Sequence, residues 1–260
     1  MGRGTGPHRG HTLGVPATCG GSAALGMRVC RRIRRRRTSF IAELGPDWRH
    51  ITYDERARGR KSGRSADYSF AAAVRDVDTV LAARGVDRAL LVGWSYGAFV
   101  AAHWAGQNPD RTVGAVLVDG AQPYDWLDEA MEQRIRTMFR RMGWFAPLLR
   151  LTGLMPRMTT GQMADSNIEL GRIGSERELG PVLDSLTVPT RYVIASGRSF
   201  GSKGDEQERI RAGLGAVTAR NPNIRVSAKV ASNHGAILRK DSPAIAEAVR
   251  EVAALERDRR

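Results

Sequence analysis

Cysteine is nearly absent from this chain: only two of its 260 residues are cysteine, and both, Cys19 and Cys30, lie near the amino end. From residue 38 onward there is none, which excludes disulfides and cysteine-based metal sites from the body of the protein. This usage is typical of a reducing compartment, so we expect a cytoplasmic location. We also expect neither a metal ion nor a cofactor.

Long apolar runs are missing as well. No stretch approaches the roughly 18 apolar residues of a membrane-spanning helix, so we expect no membrane span. Hydrophobic residues still make up 42% of the chain, which is enough for a substantial core. A chain of 260 residues has room for one large domain or two small ones. The oligomeric state has no signature in the sequence.

Acidic residues are absent from the first 40 positions, which hold nine arginines. This segment supplies +9 of the formal net charge of +14, whereas the remaining residues hold 32 basic and 27 acidic side chains. Lysine is scarce throughout, with four among 41 basic residues. The body therefore has the mixed charge of an ordinary globular protein, and we expect no nucleic-acid partner.

Residues 1–37 form a Gly- and Arg-rich arm in which we find no periodic pattern. Three interpretations stay open. The arm could bind nucleic acid or anionic lipid, since either requires only charge. It could be a targeting peptide, because it is rich in arginine and poor in acids. It could also be a disordered or out-of-frame segment, which is the interpretation we favour.

A Gly-x-Ser-x-Gly motif is formed by Gly93, Ser95 and Gly97. It follows the apolar run Leu90–Val92 and precedes an Ala-rich run, Phe99–Ala105. This order of strand, tight turn and helix is the pattern of a nucleophile elbow, in which the glycines allow strand and helix to approach closely. The helix N-terminus directs its N–H groups and positive dipole end toward the serine. The motif therefore predicts Ser95 as a nucleophile.

Strand and helix patterns alternate from residue 38 to the end of the chain. Alternation of this kind predicts an α/β fold with a mostly parallel, doubly wound sheet that helices cover on both faces. In such sheets reactive groups lie at the carboxyl ends of the strands. Ser95, Asp119, the loop 196–205 and His234 each follow a predicted strand. The predicted strands are residues 48–53, 88–93, 113–118, 188–195 and 224–230.

Five stretches of the chain resemble the α/β-hydrolase superfamily. The loop Tyr53–Ser62 is similar to its Asp-x-Arg-Gly-x-Gly-x-Ser loop, with Ala57 in place of one glycine. Gly93–Gly97 resembles its elbow, and the residues around His234 resemble the loop of its terminal histidine. The resemblance covers about residues 38–255 and implies an α/β-hydrolase fold. The other two stretches are Asn108–Asp119 and Val188–Thr190.

The resemblance also implies how the chain is divided. Residues 38–123 and 186–260 would form the hydrolase core. Residues 124–185 lie where members of the superfamily insert a helical lid. This block is rich in Met, Trp and Leu at loosely helical spacing, which favours an apolar substrate beneath the lid.

A catalytic triad is implied by the same resemblance. Ser95 requires a base within hydrogen-bond reach, and His234 lies where the superfamily places that base. The acid stays open between Asp119, which we favour, and Asp205, because members of the superfamily place it after either of two strands. The backbone N–H of Tyr96 would supply one half of an oxyanion hole.

The amino-terminal end departs from the superfamily pattern. A central strand and the loop that carries the second oxyanion N–H should fall near residues 25–37. Met27–Arg37 instead contains four consecutive arginines. Such charges cannot fill a strand that is buried on both faces without a large cost in free energy. We therefore expect N-terminal strands of the core to be missing or replaced.

These features predict a serine hydrolase that cleaves an ester or related acyl bond of a small apolar substrate through an acyl-enzyme. Serine in place of aspartate at position 95 disfavours the haloalkane dehalogenase and epoxide hydrolase chemistries of the superfamily. The alternative is a catalytically impaired or ligand-binding relative with an incomplete oxyanion hole.

Overall fold

A single parallel sheet forms the framework of the computed structural model, which describes residues 23–26, 37–53, 55–56, 65–144, 146, 158–197 and 213–258. Within these residues the sheet has six strands in the order β2-β1-β3-β4-β5-β6. The strands are β1 (Ala23–Gly26), β2 (Arg49–Thr52), β3 (Ala89–Trp94), β4 (Thr112–Val118), β5 (Thr190–Ala195) and β6 (Ile224–Val230).

Helices connect successive strands, as the alternating pattern predicts. The order along the chain places helices before and after most strands of the sheet. They are α1 (Arg37–Leu44), α2 (Phe70–Ala83), α3 (Tyr96–Gln107), α4 (Glu129–Met142), α5 (Thr160–Ile173), α6 (Glu176–Asp184), α7 (described at residues 213–220), α8 (Ile237–Lys240) and α9 (Ser242–Arg257).

The sheet is covered on both faces, which confirms the predicted doubly wound architecture. Side chains alternate along β3, so that Leu91 packs with α2, α3, α6 and α7. Leu90 and Val92 point the other way and pack with α1, α8 and α9. All five strand pairings are parallel, and their carboxyl ends therefore meet at one edge of the sheet.

The strand β1 corrects the expectation that a central strand is missing. Ala23–Gly26 pairs in parallel with both β2 and β3, with Ala23 opposite Ala89 and Gly26 opposite Val92. The sequence Ala-Ala-Leu-Gly carries no charge and suits a position between two strands, and the arginine run begins only after it. The strand lies earlier than the sequence pattern predicts. The rest of the arm, residues 1–22 and 27–36, lies outside the described residues.

Over its described residues, the block 124–185, expected to be a helical lid, contains helices α4, α5 and α6. Helices α4 and α5 pack against each other through their own apolar cluster, separate from the two sheet faces. Helix α6 differs, because Leu179 and Leu183 are fully buried in the cluster on the α3 face of the sheet. The members of the α4–α5 cluster are Ile135, Phe139, Met158, Met163, Ala164 and Ile168.

The loop after β2 is fastened to α2 by Arg56. The guanidinium of Arg56 donates to both carboxylate oxygens of Asp76, at 2.9 and 2.5 Å, and to the carbonyl of Asp67 at 2.7 Å. This pairing raises the pKa of Arg56. Ser69 caps α2, its hydroxyl accepting a hydrogen bond from the N–H of Ala72. The rest of the loop, Asp54 and residues 57–64, lies outside the described residues.

Membrane-spanning helices were sought across the part of the chain that the structure describes. No helix there is both long and apolar enough to cross a membrane.

Candidate active site

The elbow places Ser95 between the end of β3 and the start of α3. The residue has φ 55° and ψ −122°, a backbone conformation that residues other than glycine rarely adopt. Two backbone hydrogen bonds hold it there: the N–H of Ser95 donates to the carbonyl of Val118 at 3.0 Å, and its carbonyl accepts from Ala98 at 2.9 Å. Strain of this kind persists only where the surrounding structure fixes it, and it projects the serine beyond the sheet.

Glycines make room for the turn. A Cβ at Gly93 would overlap the backbone carbonyl of Gly97, because strand and helix cross at this point. A Cβ at Gly120 would likewise overlap the carbonyl of Ser95. The first contact explains why the motif requires small residues two positions before and after the serine. The second is contributed by the neighbouring strand end and is not part of the motif.

Asp119 follows β4 at the same edge of the sheet. Its backbone has φ 45°, and its N–H donates to the carbonyl of Val193 on β5 at 2.9 Å. Its side chain is largely buried. One carboxylate oxygen, Oδ1, accepts from the N–H of Ala195 at 3.0 Å. The other, Oδ2, lies 2.6 Å from Nδ1 of His234.

Tyr192 supports the turn that carries Asp119. Its hydroxyl donates to the carbonyl of Ala121 at 2.6 Å, and Ala121 has φ 55°. The side chain of Tyr192 is fully buried, and burial raises its pKa. The phenol therefore keeps its proton at neutral pH and remains a hydrogen-bond donor.

His234 lies in the loop after β6 and faces both other residues. Two hydrogen bonds tie this loop to the end of β5: Ser196 donates to Val230 at 2.8 Å and Gly197 donates to Ser232 at 3.0 Å, each from backbone N–H to backbone carbonyl. Nε2 of His234 lies 3.0 Å from Oγ of Ser95. The structure thus brings three of the predicted residues into one hydrogen-bonded chain.

The direction of each hydrogen bond follows from which of its two atoms can donate a proton. An ionised carboxylate at Asp119 only accepts, so Nδ1 of His234 must carry the proton of the 2.6 Å bond. Nε2 is then the unprotonated nitrogen of the neutral ring and accepts the hydroxyl proton of Ser95. This is the arrangement in which an imidazole can remove a proton from a serine.

The remaining predicted residues are Tyr96 and Asp205. Tyr96 is the first residue of α3, so its backbone N–H lies at the positive end of the helix dipole, next to Ser95. Its ring packs edge-to-face on Phe70, with the ring centroids 5.8 Å apart. Asp205 lies outside the described residues, as do residues 27–36 of the range 25–37 near which the second oxyanion donor was expected.

Trp94 was not selected by the sequence patterns. Its indole stacks on the imidazole of His234, with ring centroids 5.0 Å apart and planes inclined by 25°. The only available signal was its position: it is the variable residue before the serine, at the carboxyl end of β3. Residue type gave no indication, because an aromatic residue at a strand end is usually part of the core.

Two hollows lie near the elbow, on the side of the 65–69 segment. A cavity of about 20 Å³, which is room for one water molecule, has Tyr96 and Met158 in its wall. A groove of about 440 Å³ runs between residues 66–69 and helices α4 and α5. The two share Tyr68, Ser69 and Ser166. Five of the eleven residues in the groove wall are charged: Asp67, Arg136, Asp165, Glu169 and Arg172.

Metal-binding groups were sought as well. Over the ranges that the structure describes, no three His, Cys, Asp or Glu side chains are arranged to hold a metal ion.

Comparison with known proteins points to one superfamily. A family model described as alpha/beta hydrolase fold matches residues 34–153. A haloalkane dehalogenase from Mesorhizobium japonicum is 29% identical over 105 residues, which are 40% of this chain. That match spans only about a third, 34%, of the length of the dehalogenase.

Solved structures resemble the chain over most of its length. An esterase from Thermogutta terrifontis has a TM-score of 0.65 at 18% identity, covering 90% of this chain and 91% of the esterase. A lipase-esterase related protein from Clostridium acetobutylicum has a TM-score of 0.59 at 16% identity, covering 89% and 95% of the two chains. At such identities the likeness is one of fold. With the family-model match to residues 34–153 and the doubly wound parallel sheet, it shows that the chain has the α/β-hydrolase fold.

Proposed function

We propose that this protein is a serine hydrolase that cleaves carboxylic esters of small apolar acids. The observation that carries the proposal is the unbroken chain of hydrogen bonds from Ser95 through His234 to Asp119, with distances of 3.0 and 2.6 Å. A serine hydroxyl is a poor nucleophile unless a base within hydrogen-bond reach accepts its proton. Here the base is held by a carboxylate whose second oxygen is also bonded.

The reaction follows from this geometry. Oγ of Ser95 attacks the ester carbonyl while its proton passes to Nε2 of His234, forming a tetrahedral intermediate. His234 then returns that proton to the departing alkoxide, which leaves as the alcohol, and Ser95 remains acylated. Water attacks the acyl-enzyme with His234 again as base, and the proton returns to Ser95 as the acid is released. Asp119 stabilises the positive charge on the imidazolium in both halves.

The oxyanion of each tetrahedral intermediate requires hydrogen-bond donors. In the proposed mechanism the N–H of Tyr96 is one donor, since it lies at the start of α3 directly after the nucleophile. The second donor would come from the loop that follows β1. Removal of one such donor costs an enzyme about 10²–10³ in rate. A chain without the second donor would turn over slowly, which is the alternative outcome.

The size and polarity of the hollows near the elbow support small acyl groups. The cavity bounded by Tyr96 and Met158 is only about 20 Å³, and five of the eleven residues that line the adjoining groove are charged. A long alkyl chain in that groove would displace water from charged groups, which is unfavourable. We therefore expect short-chain esters to be better substrates than long-chain esters.

The similarity to a haloalkane dehalogenase suggests dehalogenation as a second candidate reaction. Dehalogenation in this superfamily uses a carboxylate nucleophile, whereas this chain has Ser95 at the elbow. The ester product of a carboxylate attack can be hydrolysed, but the ether that a serine would form with an alkyl halide cannot be hydrolysed in the same way. Acyl transfer is therefore the better match to a serine at this position.

Covalent labelling tests the proposal. The purified protein is treated with a fluorophosphonate, and the modified residue is identified by mass spectrometry. In parallel, hydrolysis of p-nitrophenyl acetate, butyrate and octanoate is measured together with halide release from 1-chlorobutane. We expect labelling of Ser95, hydrolysis that falls with chain length, and no halide release. The variant Ser95→Ala should lose both labelling and hydrolysis.

The possible results have distinct meanings. Absence of both labelling and hydrolysis in folded protein would overturn the proposal. Labelling together with a single burst of p-nitrophenol, equal to the enzyme concentration, would identify the catalytically impaired alternative, because the serine would then be acylated without turnover. Halide release that survives Ser95→Ala would point to a different nucleophile.

A further inference from the structure

The imidazole of His234 has a third neighbour besides Ser95 and Asp119. Trp94 stacks on its face, with ring centroids 5.0 Å apart and ring planes 25° from parallel. Among the described residues, the ring stacked on His234 is that of Trp94. The contact is built by the elbow itself, because Trp94 is the last residue of β3 and directly precedes the serine.

The two hydrogen bonds of the ring engage its edge but not its faces. They run from its two nitrogens to Oδ2 of Asp119 and Oγ of Ser95. Twisting of the imidazole about its bond to Cβ would bend both hydrogen bonds and move the lone pair of Nε2 away from the hydroxyl proton. A planar group stacked on a ring face restricts this twist.

The packing around Trp94 keeps it in place. Leu90, Val92 and Trp94 alternate along β3 and point to the same face of the sheet. There Trp94 packs against the apolar cluster that includes Ile237 of α8, three residues after His234. The indole is therefore wedged between the core and the imidazole.

We propose that Trp94 is a positioning residue that sets the tilt of the His234 imidazole by stacking on its face. The proposal rests on the proposed serine-hydrolase function, since its consequence is the alignment of Nε2 with the Ser95 hydroxyl. This positioning role requires a flat, rigid ring at position 94. The indole face also attracts the positive charge that the imidazolium carries while it holds the serine proton.

The indole N–H has no part in this role. Among the described residues, the buried Nε1 of Trp94 has no hydrogen-bond partner. A buried donor without a partner destabilises the folded state. Trp94→Phe keeps a planar ring and removes this donor, whereas Trp94→Met keeps an apolar side chain of comparable length and removes the plane.

The test compares these two variants with a matched control. Trp48 packs against the same apolar cluster as Trp94, so Trp48→Met removes an equivalent ring without altering the stacked pair. We expect Trp94→Met to lower kcat for p-nitrophenyl acetate about 10²-fold with little change in KM, because misalignment of a reacting group acts on the chemical step. Trp94→Phe should stay close to the native kcat and unfold at the same or a higher urea concentration. Trp48→Met should keep the native kcat.

A spectroscopic measurement provides a second result that does not require activity. The proton that Nδ1 of His234 shares with Asp119 across 2.6 Å should give a far-downfield proton resonance, assigned by its loss in His234→Gln. We expect this resonance to persist in Trp94→Phe and in Trp48→Met, and to broaden or vanish in Trp94→Met.

The outcomes separate the two proposals. Equal kcat and an unchanged resonance in folded Trp94→Met would overturn the positioning role. If Trp94→Met does not fold, loss of the resonance in folded Trp94→Phe would overturn it instead. If the native protein is neither labelled by the fluorophosphonate nor active on esters, the proposed function fails, while the resonance still reports whether Trp94 orders the imidazole.

Discussion

At the scale of single residues, Asp119 is the most constrained group of the candidate site. Both carboxylate oxygens are engaged, Oδ1 by the N–H of Ala195 at 3.0 Å and Oδ2 by His234 at 2.6 Å. The carboxylate therefore cannot rotate without breaking a hydrogen bond. This double engagement is what allows the effect of an amide at position 119 to be predicted.

Asp119→Asn should select the wrong tautomer of His234. The amide oxygen would accept from the N–H of Ala195, which leaves the NH₂ group facing Nδ1. That nitrogen would then have to accept a hydrogen bond, so the ring proton would move to Nε2, where it blocks proton removal from Ser95. We expect kcat to fall by about 10⁴ with the fold intact, measured by ester hydrolysis and far-ultraviolet circular dichroism.

Asp205→Asn is the matched control, because Asp205 is the other acid that the sequence left open. It should change kcat little. A large loss in Asp205→Asn combined with a small loss in Asp119→Asn would reverse the assignment of the acid.

At the scale of elements, the crossing of β3 and α3 depends on the absence of a side chain. A Cβ at Gly93 would overlap the carbonyl of Gly97, which is a backbone atom and cannot rotate away as a flexible side chain would. The helix would have to move off the strand, and Ser95 with it. The strained φ of 55° at Ser95 is maintained by this close contact.

Gly93→Ala should therefore destabilise the protein by about 3 kcal/mol or more, which is the upper range for overpacking. Gly215→Ala is the matched control, because Gly215 is exposed in α7 and nothing lies within 4 Å of an added Cβ. It should stabilise the protein by up to about 1 kcal/mol through helix propensity. Urea unfolding of both variants measures the two free energies. Equal stability of the two would show that strand and helix can separate at no cost.

At the scale of the whole molecule, buried histidines link stability to pH. His103 is mostly buried in α3, where its ring meets Phe70 edge-to-face at 4.8 Å and Nδ1 bonds the carbonyl of Phe99 at 3.0 Å. Burial lowers the pKa of His103 below its ordinary 6.5, although the Phe99 carbonyl and Glu178 oppose the shift. Burial also lowers the pKa of His50.

A lowered pKa means that the folded state binds a proton less readily than the unfolded state. The contribution of His103 to the free energy of unfolding is therefore fully present above its ordinary pKa of 6.5. It is lost as the pH falls toward the folded-state pKa. The free energy of unfolding should decrease by at most about 1.4 kcal/mol per pH unit for this group. His103→Phe should weaken the pH dependence of the free energy of unfolding below pH 6.5, but it should leave the pH dependence that is due to His50. A variant that retains the full slope in urea titrations at several pH values would contradict this assignment.

The whole fold also explains how chains of low sequence identity keep the same architecture. The esterase from Thermogutta terrifontis has 18% identity but a TM-score of 0.65. A parallel sheet brings its strand ends to one edge whatever residues fill the core, provided that they are apolar and of suitable size. Residues at that edge can therefore be compared by position in the fold when the sequences have diverged.

Most of the elements could be predicted from the sequence, because their signals are local. Continuous apolar runs indicated β3 and β4, and the Gly-x-Ser-x-Gly motif between a strand and a small-residue helix indicated the elbow at Ser95. His234 was indicated by its place after the last strand pattern. The strand β1 was not, because four uncharged residues next to an arginine run are too short to show a period.

Sequence alone thus indicated the order of most strands and helices and made Ser95 and His234 the candidate nucleophile and base, since each of these signals depends on residues that are neighbours along the chain. Only the tertiary structure places Asp119 2.6 Å from His234, because that distance depends on which strand end faces the loop after β6; Asp205 lies outside the described residues. Tertiary structure also decided the role of Trp94, whose partner is 140 positions away in the chain. The two rings stack because the end of β3 lies beside the loop after β6, and no local sequence pattern indicates this contact.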